Sequence, residues 1–342
     1  MLGNIDDIML KSTTERDSSL DLIKFISILM VIVLHVSSNG FTSSESRLWN
    51  GANFFESFTR ICVPIFFMTT GALLGNLPCT LQSSLSRIKR ITIPLIFWSV
   101  AYLIFFHFLN NQEISFLEII SKPAAGHLWY LYALIGVYIT LPLLSILMIN
   151  TDQRQKYYIL FLWFVSCIAL PSMKSYGLVV SSYLDLSSIG LYQGYFFCGA
   201  IIAKARKTRT TRTIAVAISL LMSLMIMLFT KILFDNGGLH DVRNYLNSSI
   251  FVCLASVSAF FALHGIRNIG GFVGKLIDLQ SKYIFGIYLF HLSLIYIMGA
   301  VGLSISSSNV YYFIPLASIT IYSMSLVVCY SIHKIGMKAV IS

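Results

Sequence analysis

The chain has 342 residues, 56% of them hydrophobic and 11% charged, where ordinary soluble domains carry roughly 25% charged residues. That balance excludes a soluble enzyme built round a large core and points to a polytopic membrane protein. The formal charge of +10 would invite nucleic acid in a soluble chain, but the order of the basic residues gives it another cause.

Apolar runs of about 17–25 residues predict an all-α bundle of about ten transmembrane helices. They fall at residues 20–38, 54–75, 91–109, 127–148, 157–172, 187–203, 214–234, 246–264, 282–300 and 311–333. The fifth and sixth are short and border polar serines. Residues 1–19 form an N-terminal segment carrying Asp6, Asp7, Glu15, Arg16 and Asp17, with no small-residue cleavage site after the first apolar run, unlike a signal peptide. Residues 20–336 make up the membrane domain. No polar stretch is long enough for an appended soluble domain, and no internal repeat of the kind that marks many transporters is visible. The six cysteines include no CxxC pair, and no structural disulfide is expected.

The loops sort the basic residues. Lys11 and Arg16, the loops holding Arg87, Lys89 and Arg90, Arg154 and Lys156, Lys204 to Arg212, Arg267 to Lys282, and the tail with Lys334 and Lys338 put 17 Lys and Arg on one side. The other side has five: Arg47, Lys122, Lys174, Lys231 and Arg243. The positive-inside rule places the rich side, and both termini, in the cytoplasm. The +10 is explained without nucleic acid.

Polar residues inside the spans are the candidates for chemistry, since a charge at the bilayer centre costs on the order of 2.5–3.5 kcal/mol. In the first span Lys24 and His35 are eleven residues apart. At about 100° per residue they share a stripe and lie about 16 Å apart along the axis. Asp21 precedes Lys24 by three and can pair with it. Lys24 reads either as a snorkelling interface residue or as part of a site, and His35 as a packing residue or a functional one. In the second span Arg60 follows Glu56 by four, so a helical ion pair competes with a buried functional arginine that cannot become neutral. His35 and Arg60 fall at similar depth on consecutive helices, where two side chains can face one cavity.

"RIKR", Arg87 to Arg90, ends the short loop before the third span. It reads as positive-inside anchoring or as a phosphate site at a helix N-terminus. The fourth span opens with His127 and Trp129 at the outer interface, where an aromatic belt accounts for Trp129, Tyr130 and Tyr132. In the ninth span His291 and Tyr288 are one turn apart, as a hydrogen-bonded strut or as a site. "GGFVGK", Gly270 to Lys275, is one residue short of a P-loop and reads as a flexible basic loop. The histidines show no HExxH or similar metal spacing, and there is no GxSxG elbow; no metal is expected.

Taken in order, these segments resemble the acyltransferase 3 family of integral membrane O-acyltransferases. "DLIK…H", through Asp21, Lys24 and His35, matches the family's opening helix. "RICVPIFFMTTG" matches its second, and Arg87 with Arg90 its cytoplasmic R-x-x-R. "HLWYLYALIGVYITLPLL", "YFFCGAIIAK" and "YIFGIYLFH" match later helices, so the likeness covers about residues 18–336. Many members carry Arg where this chain has Lys24; the charge is kept and the bidentate fork is lost. The chain is similar in length to stand-alone members that acetylate surface polysaccharides of the O-antigen or enterobacterial common antigen type.

The resemblance implies a bacterial inner-membrane enzyme that takes an acetyl group from cytoplasmic acetyl-CoA. The acceptor is a hydroxyl of a surface polysaccharide or its lipid-linked precursor. It implies that Arg87 and Arg90 hold the donor's phosphates and that His35 is the general base, or in a covalent variant the nucleophile. Arg60 then stabilises the developing negative charge, and Asp21 with Lys24 shapes the donor channel. His35, about 22 Å along the helix from Leu20 in a core of roughly 30 Å, lies nearer the outer face, so the pantetheine arm would thread inward. Acceptor specificity is expected in the outer loops at 39–53, 110–126, 173–186 and 235–245. Beyond lipid and these substrates no partner is implied, and the oligomeric state is open. A transporter or flippase of a lipid-linked sugar is the alternative; the absent repeat and the R-x-x-R weigh against it.

Overall fold

Inside hydrocarbon every backbone N–H and C=O must be satisfied within its own segment or by neighbouring protein, and apolar runs of this length meet that demand as helices. The computed structural model describes residues 17–41, 43, 45–111, 114, 115, 118–179, 181–237, 241–266, 269–305 and 309–341. Asp6, Asp7, Lys11, Glu15, Arg16 and Arg267 lie outside the described residues. Among the described residues all regular structure is helical, and nine helices are long and apolar enough to cross a membrane. The protein is a polytopic all-α membrane bundle.

The sixth expected span, Ser187–Lys204, is the one that falls outside those nine. It can be less apolar because it is an interior helix: Leu191, Ala200 and most residues between them are buried. Its glycines let it touch the second span backbone to backbone. A Cβ on Gly71 would sit 1.8 Å from the Phe196 carbonyl oxygen, and one on Gly199 1.9 Å from that of Met68. This is the small-residue packing by which membrane helices approach closely. Gly71 meets Phe196 and Gly75 meets Ala200, so the two helices run in the same direction, as a regular up-and-down order requires of the second and sixth.

The first span, Ser18–Phe41, packs against the second, eighth, ninth and tenth, and Ile23, Ile28 and Ile32 are wholly buried. A helix surrounded by others can carry Asp21, Lys24 and His35 without showing them to lipid.

Several boundaries differ from expectation, each for a local reason. The second span starts at Ser46 rather than 54 and is broken into Ser46–Thr59 and Cys62–Leu74. Pro64 lacks an N–H and its ring excludes the carbonyl four residues earlier, that of Arg60, so the helix reopens at this arginine. The third span begins at Leu81, not 91, and runs unbroken to Asn110. Thr80 caps it by accepting the Ser83 N–H at 3.2 Å. "RIKR" therefore lies within the helix rather than in a loop at its N-terminus, and free backbone N–H groups are not at hand there; Leu, Gln, Arg and Lys are good helix formers. The fifth span widens into a π-helical stretch, Phe164–Ala169, just before Pro171, whose missing N–H disrupts the regular ladder. The eighth is interrupted at 246–249, between a turn at Arg243–Tyr245 and the helix Ile250–Leu263. "GGFVGK" is not a flexible loop: from Gly271 it is the first part of a helix, Gly271–Gln280, anchored by buried Ile277.

Candidate active site

Two of these irregularities converge with a third. The break in the second span presents Arg60, a 3-10 turn at Gly126–Leu128 presents His127, and the gap in the eighth presents Asn247. With His35 of the first span they line a chamber of about 140 Å³, closed by Cys62, Trp129, Tyr130 and Tyr288 among others. Irregular backbone within membrane spans is tolerated where it is buried in protein or lines a cavity, and these segments line one.

His35, His127 and His291 form a triangle. The His35 ring centroid is 5.3 Å from that of His291 and 6.4 Å from that of His127, and the last two are 5.2 Å apart. The hydrogen bonds assign proton positions for two of the neutral rings. The Leu289 carbonyl accepts from Tyr102 Oη at 2.9 Å and from His127 Nε2 at 3.2 Å, so His127 carries its proton on Nε2. His291 donates from Nδ1 to the Tyr288 carbonyl at 2.7 Å. Its Nε2 and the Nδ1 of His127 are then acceptors, both buried without a partner among the described residues. The His35 ring has no hydrogen bond to a described residue and is left for whatever enters the chamber. The expected Tyr288–His291 strut takes another form, since the Tyr288 hydroxyl donates to the His127 carbonyl. His127, expected at the outer interface, is 1% exposed because Tyr102 and Tyr288 enclose it.

Arg60 is held on two sides. Its guanidinium pairs with Glu56 and lies 4.6 Å from the Tyr245 ring centroid, a cation–π arrangement. Tyr245 Oη donates to Asn53 Oδ1, which also accepts from Ser57 at 3.1 Å, while Asn53 Nδ2 donates to the Met227 carbonyl at 3.0 Å. The two readings of Arg60 are therefore compatible: the ion pair aims the arginine, and the arginine lines the chamber.

A second cavity, of about 480 Å³, takes in Lys24, Arg87, Arg90 and Lys282, with Thr69, Thr70 and Tyr138. Lys24 pairs with Asp21 at 3.2 Å. Arg87 Nε is buried without a partner among the described residues. This cavity gathers cations from three spans, a charge arrangement complementary to a polyanion. Tyr130 and Tyr288 line both cavities, their ring centroids 5.5 Å apart. The two rings form a shared wall between the cationic cavity and the histidine chamber.

All nine sequence candidates, Asp21, Lys24, His35, Arg60, Arg87, Arg90, His127, Tyr288 and His291, lie in or against these two cavities. Lys282, Tyr130 and Asn247 were missed as site residues. Lys282 reads as one more loop cation and Tyr130 as aromatic belt, while Asn247 had a weak signal in three polar residues, Asn247 to Ser249, opening an apolar span.

Among the described residues no three His, Cys, Asp or Glu side chains are grouped to hold a metal ion. No curated protein and no solved structure matches this chain. A family model described as an acyltransferase domain matches residues 17–334, a stretch that contains the lining of both cavities and every site residue named above. The chain belongs to the acyltransferase 3 family, and its bundle is a membrane-embedded acyltransferase domain.

Proposed function

We propose that the protein is an O-acetyltransferase of the bacterial inner membrane. It moves an acetyl group from cytoplasmic acetyl-CoA to a hydroxyl of a surface polysaccharide or of its lipid-linked precursor. The observation that carries this reading is the shared tyrosine wall. A cationic cavity and a histidine–arginine chamber meet at Tyr130 and Tyr288, so a donor held by its phosphates in one can present its thioester to the other.

On this reading Arg87, Arg90, Lys24 and Lys282 bind the phosphates of CoA by charge-assisted hydrogen bonds. The pantetheine arm passes the edge of this tyrosine wall to reach the chamber. A sugar hydroxyl is a weak nucleophile, and His35, whose ring is uncommitted, takes its proton as the oxygen attacks the thioester carbon. Arg60 stabilises the negative charge that develops on the carbonyl oxygen. The carbon–sulfur bond breaks, and the proton on His35 passes to the departing thiolate. Acetylated sugar and CoA–SH are the products. His291 and His127, fixed in single tautomers by backbone carbonyls, hold the polar surroundings of His35.

The test is base-labile acetate on the surface glycan of cells lacking the gene, complemented with wild type or His35→Ala at matched membrane levels. The expected result is acetate with wild type and none with His35→Ala. Equal acetate with both would make His35 a packing residue. Acetate unchanged by loss of the gene would bring forward the transport of a lipid-linked sugar, which binding of CoA to the purified protein would separately contradict.

A further inference from the structure

The interruption of the eighth span is a built feature. Residues 246–249 forgo helical hydrogen bonds, and neighbours supply replacements. Tyr195 Oη donates to the Asn247 carbonyl at 2.6 Å. Ser172 Oγ donates to the Ser248 carbonyl and accepts the Ile250 N–H, both at 3.0 Å. The Ser249 N–H reaches the Leu246 carbonyl at 2.8 Å. The fifth and sixth spans thus hold open a gap through which one polar side chain, Asn247, reaches the histidine chamber.

That side chain is oriented. Asn247 Nδ2 donates to Tyr192 Oη at 3.1 Å. Tyr192 is itself fixed, stacked on Phe67 with centroids 4.4 Å apart and packed on Trp129 at 5.7 Å. With one amide hydrogen committed, Asn247 keeps its carbonyl oxygen as an acceptor and a second N–H as a donor. No described residue donates to that oxygen. An amide presenting one donor and one acceptor matches neighbouring hydroxyls on a sugar ring. Trp129, also lining the chamber, supplies an apolar aromatic face beside it. On the reading above Arg60 serves the reacting carbonyl and His35 the attacking hydroxyl, which leaves the Asn247 amide for the rest of the sugar ring.

We propose that Asn247, oriented by Tyr192 and flanked by Trp129, is the acceptor subsite, binding hydroxyls adjacent to the one that is acetylated. The assignment rests on the acetyl-transfer reading above and moves acceptor selection from the outer loops into the membrane domain. It also limits the acceptor. A chamber of about 140 Å³ is smaller than the roughly 300–1,000 Å³ that encloses a drug-sized ligand. One sugar edge enters, and the rest of the glycan or its lipid carrier stays outside.

The experiment uses full-length protein in proteoliposomes, radiolabelled acetyl-CoA, and surface glycan from cells lacking the gene, stripped of acetate with base. Acceptor KM and acetyl-CoA affinity are measured for wild type, Asn247→Leu and Tyr192→Phe. Asn247→Leu is expected to raise acceptor KM by about 10-fold or more, the loss of one or two hydrogen bonds, with acetyl-CoA affinity unchanged. Tyr192→Phe keeps the packing and frees the amide, and is expected to move acceptor KM the same way by a smaller factor. Acceptor KM equal to wild type in both variants overturns the subsite, and so does a parallel loss of acetyl-CoA affinity. A wild type that binds acetyl-CoA but acetylates no glycan defeats the acetyl-transfer reading and this subsite with it, an outcome distinct from transfer with an unmoved KM.

Discussion

The two cavities hold their charged groups in opposite ways. In the cationic cavity Arg90 and Lys282 are exposed, Lys24 and Arg87 half-buried, and the ion pair of Lys24 with Asp21 joins residues one turn apart. In the histidine chamber Glu56, His127 and His291 are at most 1% exposed, and Arg60 is fixed by an ion pair, an aromatic face and a network reaching Met227. Long cations that can move suit the capture of a flexible polyanion, where sign matters more than angle. Stabilising charge that develops on one atom needs donors already in place, because reorganisation would consume the benefit. On the proposed function, the difference is a division of labour: affinity at one end of the path and chemistry at the other.

The sharpest break in that comparison is at His35. His35→Gln keeps a polar side chain of similar reach and removes the base. Transfer is expected to fall by about 10²–10⁴-fold, the usual contribution of a positioned general base, with acetyl-CoA affinity retained. A drop in affinity of the same size would mean that the two cavities do not divide the work. Next comes Arg60. Arg60→Ala is a poor probe, since it strands a buried Glu56 carboxylate, and breaking such a pair costs about 3–5 kcal/mol of stability. Arg60→Lys keeps the charge and loses the fork and the stacking on Tyr245. Its kcat is expected to fall by about 10²-fold, and that of Glu56→Gln by less, both with wild-type affinity for acetyl-CoA. Steady-state kinetics with equilibrium binding of the donor separates these outcomes.

How much of this was legible follows from what each feature depends on. Hydrophobic length and the distribution of Lys and Arg depend on sequence alone, so the spans and the crowding of cations at one end could be read directly. His35 and Arg60 stand out because polar groups in apolar runs are costly wherever they face. The breaks were harder to place. Pro64 marks the one at Arg60, but proline inside a span is compatible with a mere bend, as Pro94 and Pro142 show within continuous helices. The gap at 246–249 carries no proline; it exists because Tyr195 and Ser172, far away in sequence, satisfy its backbone. Asn247 and the tautomers of His127 and His291 depend on such tertiary partners, which no local pattern encodes. "RIKR" illustrates the opposite error, because a charge cluster before an apolar run looks like a loop although its residues are good helix formers.

The smaller predictions test the tolerance of the cationic cavity. Arg87→Ala with Arg90→Ala is expected to weaken acetyl-CoA binding by about 10–100-fold, the loss of hydrogen bonds to charged groups, while kcat at saturating donor stays near wild type. Arg87→Lys with Arg90→Lys should cost only a few-fold, in contrast to Arg60→Lys. If both lysine exchanges proved equally damaging, the cationic cavity would be as geometrically strict as the chamber, and the comparison would fail. Lys282 gives the smallest effect. It is exposed, its Nζ 5.0 Å from the Tyr283 ring centroid, and exposed charge pairs are worth about 0–1 kcal/mol, so Lys282→Ala should weaken donor binding by no more than about 5-fold. Because that contribution is long-range and solvated, it should fade as ionic strength rises and the screening length shrinks from about 10 Å at 0.1 M to 3 Å at 1 M. Donor titrations at the two salt concentrations check this. A Lys282 effect that survived high salt would place its ammonium in direct contact with a phosphate, and would make it part of a fixed site rather than of a field.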